Sequence, residues 1–241
     1  MKTTSAIPPI EHRTSVAAVV IARFVQIALG FAVVAGALFL AAGRLDWVWA
    51  WVYLGIMVVS VAINGAIIMR RSPETVAERG QPGEMAGWDR LVSGLWAAAQ
   101  YLALPLVAGL DARFGWTAAP GAVWHWAGAL VVFLGLQLGS WAMITNAFFS
   151  TVVRIQRERG QTVCRAGPYR FVRHPGYAGF AAFSLGTPLL LGSWWAFIPG
   201  AIAVGLLVTR TVFEDRLLQA ELPGYREYAR DVRYRIIPGI W

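Results

Sequence analysis

Long apolar runs alternate with short polar stretches along this chain. Phe24 to Ala42 carries no charge, and the run reaches back to Val16 if Arg23 lays its stem along the helix and directs its guanidinium to the lipid headgroups. Trp47 to Met69 and Leu91 to Leu110 form a second and a third run. A fourth, Ala122 to Ser150, lies within the uncharged stretch Phe114 to Val153. Each is close to or above the roughly 20 residues a helix needs to cross a hydrocarbon core of about 30 Å. The first run is too long for a cleaved signal peptide and lacks a small-residue cleavage site before polar chain.

Tyr177 to Thr209 is different. Its 33 residues carry no charge and make about 50 Å of helix at 1.5 Å per residue. That is too long for one simple pass and too short for two full ones. Gly192 and Ser193 lie near its middle, with Pro188 before them and Pro199-Gly200 after. The pattern predicts two shorter helices joined by a tight turn. Irregular backbone at membrane depth is tolerated only where protein or a cavity covers it, so the break points to a cavity nearby. The expected fold is all-α: a multi-pass transmembrane helical bundle of about six segments, the last two a helical hairpin. Residues 1–150 form a four-span membrane region, and residues 151–241 hold a polar loop, the hairpin and a polar tail.

Composition supports this reading. Hydrophobic residues make up 57% of the chain and charged residues 14%, against about 25% charged in soluble domains, and mean hydropathy is +0.55. A water-soluble globular enzyme and a disordered chain are both excluded. The net charge is +8, and its placement matters more than its sum. Eighteen Lys and Arg residues fall in the N-terminus, the second and fourth loops and the C-terminal tail, and only Arg44 and Arg113 in the other loops. The positive-inside rule then places both termini in the cytoplasm. Trp47, Trp49, Trp51, Trp116, Trp124, Trp126, Trp194 and Trp195 fall at the opposite boundary, as an interfacial belt does. Membrane topology accounts for the basic charge, and no nucleic-acid partner is expected. One cysteine, Cys164, excludes an internal disulfide framework, and His12, His125 and His174 are too far apart for a local metal-ligand motif. No metal is expected.

Reactive residues are sparse in the first two thirds. Arg23 reads as a snorkelling anchor and His125, between Trp124 and Trp126, as an interfacial histidine. The segment Ser72 to Asp89 reads as a solvated connector. Gly135 and Gly139 form a GxxxG that brings two helices close, which is packing rather than function. The last third is richer. Arg154 to Pro175 and Arg210 to Trp241 flank the broken stretch, so they emerge on one face, and they hold 12 of the 20 arginines. Gly167-Pro168 signals a turn, and Pro175 pushes His174 toward extended backbone. Such backbone, with His174 and two tyrosines, suits a ligand with a flat base and polar groups; an Arg/Tyr interfacial anchor accounts for it equally well. Arg210 and Glu214 lie four residues apart on one helix face, in the less favourable order for a simple stabilising pair. Ionisable groups at such depth are more often functional. Asp215 is expected to face the cytosol or pair with an arginine. The tail after Pro223-Gly224 reads as a basic aromatic strip on anionic lipid or as a lid over a ligand.

These residues, in this order and spacing, resemble the isoprenylcysteine carboxyl methyltransferase family and the related phospholipid N-methyltransferases. The matching pieces are Gly167-Pro168-Tyr169, Arg173-His174-Pro175-x-Tyr177-x-Gly179, Arg210 with Glu214, Gly224-Tyr225-x-x-Tyr228 and Tyr234-Arg235-x-x-Pro238. The resemblance covers roughly Gln156 to Trp241, about a third of the chain. The resemblance implies an integral membrane methyltransferase that uses S-adenosylmethionine, held in a C-terminal cytosolic pocket, and a lipophilic small-molecule or lipid acceptor. Carried over by position, the cofactor site comprises Gln156, Gln161, Thr162, Val163, Cys164, Tyr169, His174, Pro175, Gly176, Tyr177 and Glu214. Arg210 faces the acceptor, Glu214 holds the cofactor and Arg210, and Cys164 is not a nucleophile. Alternatives within methyl transfer are a phospholipid amine or a small thiol as acceptor. An alternative from another class is an NADPH-dependent oxidoreductase like the membrane sterol reductases, whose longer architecture fits six segments poorly.

Overall fold

The computed structural model describes residues 16–71, 86–118 and 120–241. Most of the Ser72–Asp89 connector, with Glu74, Glu78, Arg79 and Glu84, lies outside the described residues, as do Lys2, His12, Arg13 and the side chain of Arg23. The described chain is helical: α1 is Val16–Ala42, α2 Val48–Arg71, α3 Gly87–Phe114, α4 Ala122–Thr145, α5 Pro175–Leu191, α6 Phe197–Glu221 and α7 Tyr225–Asp231. Five of these, α1, α2, α3, α4 and α6, are long and apolar enough to cross a membrane. Large apolar side chains such as Phe24, Leu40, Val123 and Ile202 are exposed along them. Water would penalise that much open apolar surface and lipid does not. The chain is an integral membrane protein.

Helix ends follow local chemistry. Glycines in the left-handed region close α3 at Gly115 and α5 at Gly192, where a Cβ is strained. The expected Ala122–Ser150 run stops as a helix at Thr145. There the Asn146 side-chain carbonyl accepts the Phe148 backbone N–H at 2.9 Å, which turns the chain out of the helix. Residues 192–196 separate α5 from α6, and the two helices pack against each other. The turn is fastened to α3 by Asp111, whose carboxylate accepts the Ser193 hydroxyl and, at 2.7 Å, the Thr117 N–H.

The tightest helix contact is α4 on α5. A Cβ on Gly135 would stand 2.6 Å from the Gly179 carbonyl oxygen, and one on Gly179 would stand 2.7 Å from the Gly139 nitrogen. The GxxxG thus works as a packing groove, with Gly179 as its partner on α5. Gly179→Ala should push the helices apart and cost about 1–3 kcal/mol, in the manner of overpacked cores. Its thermal midpoint in detergent, compared with wild type, checks this; an unchanged midpoint would mean the interface yields freely.

Tryptophans gather at one end of the bundle. Trp116 meets Trp195, Trp124 meets Trp194 and Trp49 meets Trp126, all in edge-on contacts. His125 lies among them. It is buried rather than facing an interface, stacked on Trp49 with its Nδ1 2.8 Å from the Leu190 carbonyl oxygen. The polar residues gather at the other end, where α3 and α5 begin and α4 and α6 finish.

Candidate active site

A cavity of about 390 Å³ occupies that polar end, within the range of small-molecule sites. One wall is irregular backbone. The loop after α4 folds back through residues 146–154, and residues 161–164 run beside it. A short 3₁₀ turn, Gly167–Arg170, then carries the chain into α5. The other wall is the membrane side, with Trp96 of α3, Phe180 of α5 and Leu217 of α6.

Of the residues expected at the cofactor site, Gln161, Thr162, Val163 and Cys164 line the cavity from the loop. Tyr169, His174, Gly176 and Tyr177 line it from the turn and the start of α5, and Glu214 with Arg210 from α6. Two expected residues do not line it. Gln156 is buried behind the loop, where its amide donates to the Phe148 carbonyl at 2.7 Å and its carbonyl accepts from Arg159 at 2.6 Å. Gln161 is tied to the same bend, its side-chain oxygen accepting the Gln156 N–H. Pro175 is buried as the first residue of α5, a position that suits its missing N–H. Both shape the wall from behind. Burial pushes the Cys164 thiol up from its ordinary range, so it stays protonated at neutral pH and is a poor nucleophile.

Arg210 and Glu214 face the cavity together, but they are not each other's partners. The Arg210 guanidinium pairs with Asp89, Nε donating to Oδ1 at 2.7 Å and Nη2 to Oδ2 at 3.3 Å. Nη2 also donates to the Thr151 carbonyl at 2.7 Å. Glu214 instead accepts a short hydrogen bond from the Tyr177 hydroxyl, and the Tyr177 ring lies 5.6 Å from the guanidinium carbon. The tyrosine therefore stands between the two charges.

Asp89 was expected at the end of a solvated connector. It is instead fully buried in the first turn of α3, where it also accepts the Val153 N–H at 2.9 Å. Its reach to α6 spans 121 positions of sequence, so no local pattern reveals it. The one available signal is an acidic residue directly before a membrane run, and most such residues are solvated.

Asp215, one residue after Glu214, points away from the cavity and is also buried. Arg173 forms a fork on it at 2.9 and 3.0 Å, and Arg235 adds a third contact at 3.0 Å. The Tyr225 hydroxyl donates to it at 3.1 Å, Gln219 at 2.8 Å, and His174 Nε2 lies 3.3 Å away. Burial first, and then the Asp215 carboxylate, push the Tyr225 hydroxyl far above the tyrosine range, which keeps it a donor. Arg173 also donates to the carbonyls of Ala229, Val232 and Arg233. The backbone N–H groups of Arg173 and His174 donate to the carbonyls of Tyr234 and Arg235. The tail is thus bonded to the segment that carries His174, and Tyr225 and Tyr228 of α7 close part of the cavity.

Among the described residues, each arginine that lines the cavity is matched with a carboxylate: Arg154 with Glu158, Arg173 with Asp215 and Arg210 with Asp89. The aromatic rings and the Glu214 carboxylate suit a flat base and a positively charged group.

Residues 128–220 match the model of the isoprenylcysteine carboxyl methyltransferase family. Over 120 residues the chain is 32% identical to protein-S-isoprenylcysteine O-methyltransferase B of Arabidopsis thaliana, covering 47% of this chain and 61% of that relative. It is 40% identical over 102 residues to the protein-S-isoprenylcysteine O-methyltransferase of Schizosaccharomyces pombe, 41% of this chain and 43% of that one. It is 29% identical over 161 residues to the methanethiol S-methyltransferase of Mycobacterium tuberculosis, 60% of this chain and 65% of that one. The chain spans less than two thirds of the length of each of these relatives. The family match covers α4 from Gly128, the loop after it, α5 and α6 up to Ala220, and leaves out Asp89 and the tail.

Proposed function

We propose, from the match of Gly128 to Ala220 to the isoprenylcysteine carboxyl methyltransferase family model, that the protein is a member of that family and a membrane-embedded methyltransferase. It uses S-adenosylmethionine and methylates a lipophilic acceptor, the carboxylate of a prenylated cysteine being the favoured one. The observation that carries this reading is the meeting of two unlike walls at Arg210 and Glu214. Polar backbone and aromatic rings lie on one side and apolar side chains of membrane helices on the other.

The residues present fit the cofactor. Backbone at 162–164 offers N–H and C=O groups to a base and its sugar, Tyr169, His174 and Tyr177 offer ring faces, and Glu214 complements positive charge. Bound there, S-adenosylmethionine supplies a methyl group made electrophilic by its sulfonium. The chain's task is then alignment. Arg210 holds the acceptor's electron-rich atom at the boundary of the two walls, and the membrane-side wall holds its apolar part. A carboxylate acceptor has no proton to lose; an amine or thiol passes one to Glu214, the nearest carboxylate on the cavity wall.

We read residues 151–241 as the region that carries the cofactor, with residues 1–150 as membrane scaffold that lends α3 to the acceptor end. The arginine bias puts both termini and the cavity on the cytoplasmic side, and the tryptophan-rich end at the opposite interface. In this reading α5 and α6 form a hairpin of the last two among six passes. The 17 residues of α5 make about 26 Å, short for a core of about 30 Å, because its first turn lies beneath the cavity loop.

Titration calorimetry of the detergent-purified protein with S-adenosylmethionine tests the cofactor. Saturable binding is expected, weakened at least about tenfold in His174→Ala, with no binding of NADPH. NADPH binding without S-adenosylmethionine binding would replace this reading with the oxidoreductase one. Prenylcysteine, phospholipid and small-thiol acceptors then separate the acceptor classes.

A further inference from the structure

We propose that Asp89 is a positioning residue for the acceptor, acting through Arg210; this rests on the methyl-transfer reading above. A guanidinium has five N–H donors: one on Nε and two on each terminal nitrogen. Asp89 takes the Nε hydrogen and one from Nη2, and the Thr151 carbonyl takes the second from Nη2. Three donors are committed within the protein. The two on Nη1 enter none of these bonds.

This arithmetic decides how Arg210 meets an acceptor. Fork-like recognition of a carboxylate uses two parallel donors from adjacent nitrogens. The Nε/Nη2 edge is closed by Asp89, and the Nη1/Nη2 edge is half closed by Thr151. Arg210 is left to offer Nη1 alone, which marks one acceptor atom rather than clamping two. That suits a displacement in which one oxygen is to be methylated and must keep a lone pair free for the incoming carbon. Asp89 also offsets the charge of Arg210, so the guanidinium directs the acceptor without holding its charged ground state so tightly that the reaction is opposed.

Asp89 is well placed to fix this orientation. Its own carboxylate is held by the Val153 N–H and, at 3.3 Å, by the Ser93 hydroxyl, so it sits between the first turn of α3 and the cavity loop. The Tyr177 ring supports the guanidinium from α5. Three elements therefore define the direction of Nη1, and the membrane region contributes to the reacting end through Asp89.

The test is a double-mutant cycle on the full-length protein in detergent or bilayer discs, with a prenylcysteine acceptor and labelled S-adenosylmethionine. Asp89→Asn keeps the shape and removes the charge. It is expected to lower kcat about ten- to a hundredfold, with the Kd for S-adenosylmethionine changed less than twofold. In the Arg210→Ala background, Asp89→Asn should lower kcat no further, since its target is gone. Independent, multiplying losses in the double variant would overturn the proposal and make Asp89 a structural residue. If Asp89→Asn does not fold, Asp89→Glu replaces it: charge is kept and one methylene shifts the fork, so a tenfold or greater loss of kcat at unchanged cofactor affinity supports positioning. Wild-type turnover in Asp89→Glu, or in Asp89→Asn, would overturn it. A wild-type protein that binds no S-adenosylmethionine would end the methyl-transfer reading, and this proposal with it, before any variant is made.

Discussion

Arg210→Ala is expected to lower methyl transfer at least about a hundredfold, the scale seen when a preorganised charged donor is removed from a reacting centre. Cofactor affinity should change only a few-fold, because Arg210 lies where α6 meets the acceptor wall and Glu214 remains. The substitution has a second consequence. Asp89 is fully buried, and removing its partner leaves a carboxylate uncompensated, at a cost of about 3–5 kcal/mol. Lost turnover in this variant alone would therefore mix chemistry with folding. Arg210→Lys separates them. Lysine keeps a cation for Asp89 but has no fork and no second nitrogen to present. It should retain most of the stability and still lose most of the turnover. Initial rates with labelled S-adenosylmethionine, beside calorimetric Kd and thermal midpoints, check both. A fully active Arg210→Ala enzyme would remove Arg210 from the acceptor site.

The membrane helices were legible because a bilayer imposes a length and an apolar composition on each run. The break in Tyr177–Thr209 was legible too: Gly192 adopts φ 74°, and prolines flank it. The residues of 161–177 that line the cavity were named through the family resemblance; the irregular, aromatic, basic chain alone left a ligand site and an interfacial anchor equally open. Partners were not legible. The Arg210–Glu214 spacing suggested a pair, but Tyr177 stands between them and the salt bridge runs to Asp89. Helical spacing says which side chains share a face and nothing about what approaches that face. Gln156 lies behind the cavity wall for a related reason. Its position in the loop was right, yet its amide satisfies the carbonyl of Phe148 in a buried bend, a demand that arises only once the loop folds.

Asp215→Asn should have the larger effect on the architecture of the site. Its carboxylate receives Arg173, Arg235, Tyr225 and Gln219, and Arg173 is itself 5% exposed. Asparagine preserves the shape but leaves a buried guanidinium without its counter-charge, a loss of about 3–5 kcal/mol. Arg173 is also the donor to three tail carbonyls, so the tail and the His174 segment should loosen together. The expected result is a lower thermal midpoint, faster tryptic cleavage between Arg226 and Arg235, and at least about tenfold weaker S-adenosylmethionine binding. Glu214→Gln is the informative neighbour. One residue along a helix turns the side chain by about 100°, which sends Glu214 into the cavity and Asp215 into the tail. Glu214→Gln should therefore weaken cofactor binding while the tail keeps its wild-type resistance to trypsin. Equal protease sensitivity in the two variants would mean that the tail is held by cavity closure as a whole, and that Asp215 is not its anchor.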